Sequence, residues 1–183
     1  MPIAEEAEEF SRVVTVESVG DSGRSLMLEA DADELEAVKL RLGIDGLSSL
    51  RANALLRRTG KDRFRVDIDF SADVLQSCVV TLEPVALRVS DAATVCFQMG
   101  GKQIDEPEVL DPGAPDPPEP LVGGRIDVGE LVVQHLALAI DPYPRKDGAE
   151  LSAVLPADGQ EVETVEQLAT SEVFAGLAKL KQR

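Results

Sequence analysis

The sequence predicts an α+β fold: a mainly antiparallel β-sheet with two packed helices, a flexible acidic Pro-rich loop and a short C-terminal helix. Three observations predict it. From Phe64 the chain alternates strictly, with Phe64, Val66, Ile68, Phe70, Ala72 and Val74 on one face and Arg63, Arg65, Asp67, Asp69 and Asp73 on the other, the pattern of a half-buried antiparallel strand. Val85, Leu87, Val89, Ala93, Val95 and Phe97 repeat that period after Pro84. Two other stretches carry helical periodicity behind an aspartate placed to cap them, Asp31 and Asp127.

In chain order, residues 10–19 are rich in Val and Thr and read as a strand, followed by the turn cluster Gly20-Asp21-Ser22-Gly23 and a short strand over 25–30. Asp31 with Glu34 three positions on forms a capping box. Leu35, Val38 and Leu42 make one stripe, and Gly43 supplies the stop. Residues 50–57 read as the strand preceding Phe64. A hairpin loop of three residues, Arg58-Thr59-Gly60, keeps both apolar sets on one face; it sets Phe64 against Ala54, places Arg51 opposite Asp67 and puts Gly60 in the left-handed region. Residues 100–124 are crowded with Pro and acids, so this segment is expected to be a flexible loop. Residues 127–140 form an expected helix that is apolar around most of its circumference, which predicts a well-buried helix, and it ends before Pro142. A terminal helix is expected to carry the stripe Val173, Phe174, Leu177 and Leu180, with Lys179, Lys181 and Arg183 near its C-terminus. The expected organisation is therefore an acidic tail over 1–9, one domain over 10–146, and an acidic linker with an amphipathic helix over 147–183.

Composition restricts function. The 183 residues carry 34 acidic and 18 basic side chains, a net charge of −16. No apolar run approaches the roughly 18 residues of a membrane span, and the acidic start MPIAEEAEEF does not read as a signal or transit peptide. Cys78 and Cys96 cannot build a disulfide scaffold, which points to a reducing cytoplasm. With one Tyr and no Trp, stacking on nucleic-acid bases is not expected. His135, the only histidine, sits in an apolar helical pattern without a carboxylate or thiol at ligand spacing. Gly123-Gly124 reads as a turn, and no nucleophile has a base in reach of local spacing. No enzyme activity, cofactor or metal site is expected. The charge distribution is uneven. Between Arg51 and Arg65 lie six basic residues and one acid, so Arg57, Arg58, Lys61, Arg63 and Arg65 at or behind the hairpin tip are candidate phosphate-contacting residues. The alternative is that they pair with Asp67, Asp69 and the acidic loops. Val173, Phe174, Leu177 and Leu180 are candidate partner-docking residues, because so short a helix is marginal unless it docks, either on a partner or on its own domain.

Four blocks, in this order and spacing, carry a family resemblance: Cys78-Val79-Val80-Thr81-Leu82-Glu83-Pro84, then residues 124–131 (GRIDVGEL), residues 136–144 (LALAIDPYP) and residues 173–181 (VFAGLAKLK). Together they resemble the YceD family of bacterial proteins with plant chloroplast relatives, from about Phe10 to the C-terminus. The resemblance implies a non-enzymatic role in accumulation of large-subunit ribosomal RNA, and so in ribosome assembly, with that RNA or its precursor particle as partner. Many family members have Cys-x-x-Cys where this chain has Cys78 and Thr81, and some have further cysteines where it has Arg145-Lys146-Asp147-Gly148. With Cys78, Cys96 and His135 as its thiol and imidazole donors, the chain lacks a tetrahedral zinc set. A second functional class stays open beside the first: an acidic adaptor that binds a basic protein, such as a ribosomal protein, without touching RNA.

Overall fold

The structure is a computed structural model that describes residues 9–100 and 117–149. The chain divides into a unit ending at Asp147 and a second from Gly148. Residues 1–8, residues 101–116 of the Pro-rich segment, and the expected terminal helix with Val173, Phe174, Leu177 and Leu180 lie outside the described residues.

In chain order the first unit comprises β1 (Val13–Thr15), a 3-10 turn (Val16–Ser18), β2 (Arg24–Glu29), α1 (Ala32–Leu42), β3 (Gly46–Arg58), β4 (Arg63–Ser77), β5 (Pro84–Met99), β6 (Glu119–Leu121), β7 (Arg125–Asp127) and α2 (Val128–Ala139). Five strands form one sheet in the order β2-β3-β4-β5-β6, and β1 pairs with β7 in a separate two-stranded ribbon. All pairings are antiparallel except β5 with β6. The α+β expectation holds.

The period-two pattern of β4 is realised. Phe64, Val66, Ile68, Phe70, Ala72 and Val74 are all buried on the inner face, where Leu50, Ala52, Ala54 and Leu56 of β3 and Val95 and Phe97 of β5 join them. The helices close this face: α1 contributes Val38, and α2 contributes Val128, Leu131, Val132, Val133 and Leu136. Apart from Cys78, no residue with a polar or ionisable side chain is buried among the described residues, so the core is held by apolar burial, at about 25 cal/mol per Å².

Both helix starts follow the caps read from sequence. The Asp31 carboxylate accepts from the amides of Asp33 and Glu34, and Glu34 reaches back to the Asp31 amide. Gly43 then stops α1 with φ 64°, a left-handed conformation that glycine adopts without a Cβ clash. Asp127 accepts from the amides of Gly129 and Glu130 and from Arg12 N at 2.7 Å, tying α2 to the N-terminal segment. Gly129 is dictated by close approach, since a Cβ there would lie 2.1 Å from the Phe10 carbonyl oxygen.

Four expectations are corrected. The strand over 10–19 is only β1, because β7 offers three residues before α2 begins; the chain then turns, with Val16 N bonded to Gly124 O and Ser18 Oγ donating to Thr15 O. The segment 100–124 is not wholly loop, since β6 adds to the sheet beside Phe97 to Met99. α2 is less fully buried than its apolar circumference suggests: Leu138 faces solvent, as do Gln134 and Ala137. The β3–β4 register also differs. The loop has four residues, Thr59 to Asp62, and Phe64 lies opposite Arg58, not Ala54. The inward parity is right, but a shift by an even number of residues preserves parity, so parity alone cannot choose among such registers. As a result, Gly60 does not adopt positive φ. Arg51 faces Ser71 and pairs with Glu29 at 2.8 Å instead of meeting Asp67.

Candidate nucleic-acid interface

The observed register sets the electrostatics of the hairpin. Arg57 lies directly across from Arg65, and like charges so placed are unfavourable. Asp67 relieves them. Its Oδ2 receives Arg57 Nη2 at 2.5 Å, and its Oδ1 receives Arg65 Nε at 2.7 Å and Thr94 Oγ1 at 2.8 Å. Burial opposes ionisation of Asp67, but the hydrogen bonds from Arg57, Arg65 and Thr94 outweigh it and lower its pKa to about 2. Two of the five candidate cations thus share one carboxylate, so internal pairing holds for Arg57 and Arg65.

The other three are arranged differently. Arg58 lies over the Phe64 ring, 5.2 Å from its centroid, a cation–π contact that orients the guanidinium without neutralising it. Lys61 and Arg63 are exposed and form no ion pair among the described residues. The tip that carries them is anchored: Thr59 N donates to Arg63 O at 2.9 Å, and Met99 N donates to Asp62 O at 2.8 Å. The tip therefore presents three exposed cations whose charge no carboxylate cancels among the described residues, with Asp62 as its one acid.

A second local structure lies at the opposite end of β4. Cys78 is fully buried, and its Sγ accepts the amides of Val80, Thr81 and Lys146, each at 3.4 Å. The Lys146 amide, then the Thr81 hydroxyl and the Thr81 and Val80 amides, favour the thiolate against burial and bring Cys78 down to about 6. Cys78 N donates to Glu83 O at 2.8 Å, Leu82 N to Cys78 O at 2.9 Å and Val79 N to Pro144 O at 2.9 Å, while Lys146 Nζ meets Glu83 at 2.8 Å. Among the described residues no three His, Cys, Asp or Glu side chains gather to hold a metal. The donors here do not fit zinc: Cys78 is the one thiol in the turn, Thr81 stands where a second would be needed, and backbone amides already engage the sulfur. Cys96 lies across from Arg65 in the hairpin half of β5, and His135 lies on α2.

A turn built around Cys78, closed by the 141–146 segment and followed by a long β-strand, joins two of the four blocks that carry the family resemblance. The family model described as "Large ribosomal RNA subunit accumulation protein YceD" matches residues 66–181. The chain belongs to the YceD family. The match begins inside β4, so residues 10–65, to which the resemblance was extended, fall before it. No curated protein and no solved structure matches the chain. The YceD match supports a ribosome-related role.

Arg57 through Arg63 fall outside the span of the YceD match, and of the hairpin cations only Arg65 stands next to its start. The sequence singled out all five cations but did not separate them, because the register that brings Arg57 and Arg65 onto Asp67 is invisible to parity. It also missed the turn at Leu82: no local pattern signals that its backbone takes φ 59°.

Proposed function

We propose that the chain is a non-enzymatic ribosome-assembly accessory factor that supports accumulation of large-subunit ribosomal RNA by contacting that RNA, or its precursor particle, through the β3–β4 tip. Arg58, Lys61 and Arg63 are the primary phosphate contacts, with Arg57 and Arg65 behind them. The observation that carries this reading is the set of exposed tip cations without carboxylate partners among the described residues, in a chain whose net charge is −16. A protein with that mean field repels phosphate at long range. An anchored basic protrusion lets it meet RNA at one end while the acidic remainder stays clear. On this reading the protein works in the cytoplasm and needs no cofactor.

The test is binding of the full chain to naked precursor large-subunit RNA. Combining Arg58→Glu, Lys61→Glu and Arg63→Glu reverses three exposed charges. RNA affinity should fall by about a hundredfold at low salt, and the salt dependence of wild-type binding should be steep. Because the three side chains are outside the core, the unfolding midpoint should move little. A triple variant that binds RNA like wild type would rule out the hairpin as the RNA contact. The acidic-adaptor reading, favoured by the −16 charge alone, would then replace it.

A further inference from the structure

Leu82 closes the Cys78 turn, its amide bonded to Cys78 O, and is the one non-glycine residue with positive φ among the described residues. A bulky side chain is disfavoured there, where glycine or asparagine would fit without strain. Nor does its side chain serve the core, for it is 77% exposed. Val79 in the same turn is 45% exposed, and Tyr143, next to the Pro144 whose carbonyl holds Val79, is 71% exposed. Three exposed apolar side chains thus stand on two segments cross-linked by the Val79–Pro144 and Lys146–Cys78 bonds. A strained, rigidly supported and exposed leucine is a poor choice for a turn and a good one for a plug, since a preorganised side chain loses little entropy on binding.

We infer that the Leu82 turn, with Val79 and Tyr143, is the docking tip for a protein that offers an apolar cleft within a positively charged surface. The charge around the tip selects the partner. Glu83 and Lys146 neutralise each other at 2.8 Å, which leaves Asp45 (bonded to Ser77), Asp141 and Asp147 on the segments joined to the turn, against Arg145. RNA is disfavoured by that rim. A basic protein is favoured by it and by the −16 total, which speeds encounter with a cationic partner. The 15 residues of β4 separate this tip from the basic hairpin by about 45 Å at a strand's rise per residue. That distance leaves room for RNA and protein to be engaged at once. The inference rests on the ribosome-linked reading and adds to it a second surface with its own class of partner.

The experiment uses the full chain and the isolated proteins of the large ribosomal subunit, tested one by one. Leu82→Asn removes the apolar side chain with a residue that tolerates the left-handed backbone, and Leu82→Gly does so with one that prefers it. The expected result is that at least one subunit protein binds wild type and binds both variants about tenfold or more weakly, as for a hot-spot side chain. Unfolding midpoints should be unchanged or raised, and affinity for naked RNA unchanged. Failure of every subunit protein to bind wild type overturns the inference, as does equal binding by wild type and variants. Lowered midpoints in both variants make Leu82 a structural residue and overturn it too. A concentration-dependent dimer that Leu82→Asn abolishes assigns the tip to a second copy and likewise overturns it. The hairpin reversal is read on RNA and the Leu82 variants on protein, so failure of one reading is distinguishable from failure of the other.

Discussion

The two connections that bound β4 are built on opposite plans. At one end, Thr59 to Asp62 carry charge on an anchored tip, and the side chains there face water. At the other, residues 78–83 wrap their backbone around one buried sulfur and turn apolar side chains outward. The hairpin side chains are specified by charge and the Cys78 turn by backbone hydrogen bonds, so substitutions should act in different ways at the two ends. At the hairpin, changes alter binding more than stability. In the Cys78 turn, changes at the sulfur lower stability, and changes at Leu82 weaken binding without lowering stability.

The largest effect on the folded state should come from Cys78→Ala. It leaves the amides of Val80, Thr81 and Lys146 without their acceptor and removes one of the bonds between the turn and the 144–146 segment. The unfolding midpoint should drop by several degrees, whereas Arg58→Ala at the other end should leave it nearly unchanged. Equal midpoints for the two variants, measured by thermal denaturation, would erase the contrast. Titration of Cys78 sharpens it. Its pKa in the folded chain is about 6, below that of a free thiol, so its contribution to stability is complete above the free-thiol pKa and is lost as pH falls toward 6. Stability of wild type relative to Cys78→Ala should therefore grow between about pH 6 and pH 9. A flat difference across that range would show the thiol to be un-ionised in the fold.

A smaller effect, with opposite signs on stability and binding, is expected at Asp67. Asp67→Asn removes the shared carboxylate, leaving Arg57 facing Arg65 uncompensated. Stability should fall by about 0.5–1 kcal/mol, the upper range for partly exposed ion pairs. RNA affinity should rise a few-fold, because two more cations are released. A variant that loses RNA binding would mean that Asp67 orders the arginines for RNA contact instead of competing with it. The smallest effect is the acid limb of the same pair. With its pKa held at about 2, Asp67 keeps its contribution down to about pH 4 and loses it as pH falls toward 2, so wild type and Asp67→Asn should converge in stability there.

Much of this architecture could be read from the sequence wherever the determinants were local. The Asp31–Glu34 capping box, the Gly43 stop and the inward face of β4 each follow from residues within one turn or one strand. What escaped was set by distant partners. The hairpin register depends on two-sided packing that preserves parity. β6 emerges from a Pro-rich acidic segment because β5 offers an open edge at Phe97 to Met99. The sulfur cradle draws an amide from Lys146, 68 positions away. The candidate cations were visible as a charge cluster, but their division into a pair bound by Asp67 and a trio at the tip depends on the register. The apolar tip had no signal beyond the Cys-x-x-Cys slot filled by Cys78 and Thr81.

The central claim, that the tip cations meet RNA while the opposite turn does not, is tested most directly by titrating naked precursor large-subunit RNA with three full-length proteins in parallel: wild type, the Arg58→Glu/Lys61→Glu/Arg63→Glu combination, and Leu82→Asn. Wild type and Leu82→Asn should bind with the same affinity and the same steep salt dependence, and the triple variant should lose most of its binding. Equal RNA binding by all three proteins, or loss on changing Leu82 alone, would contradict it.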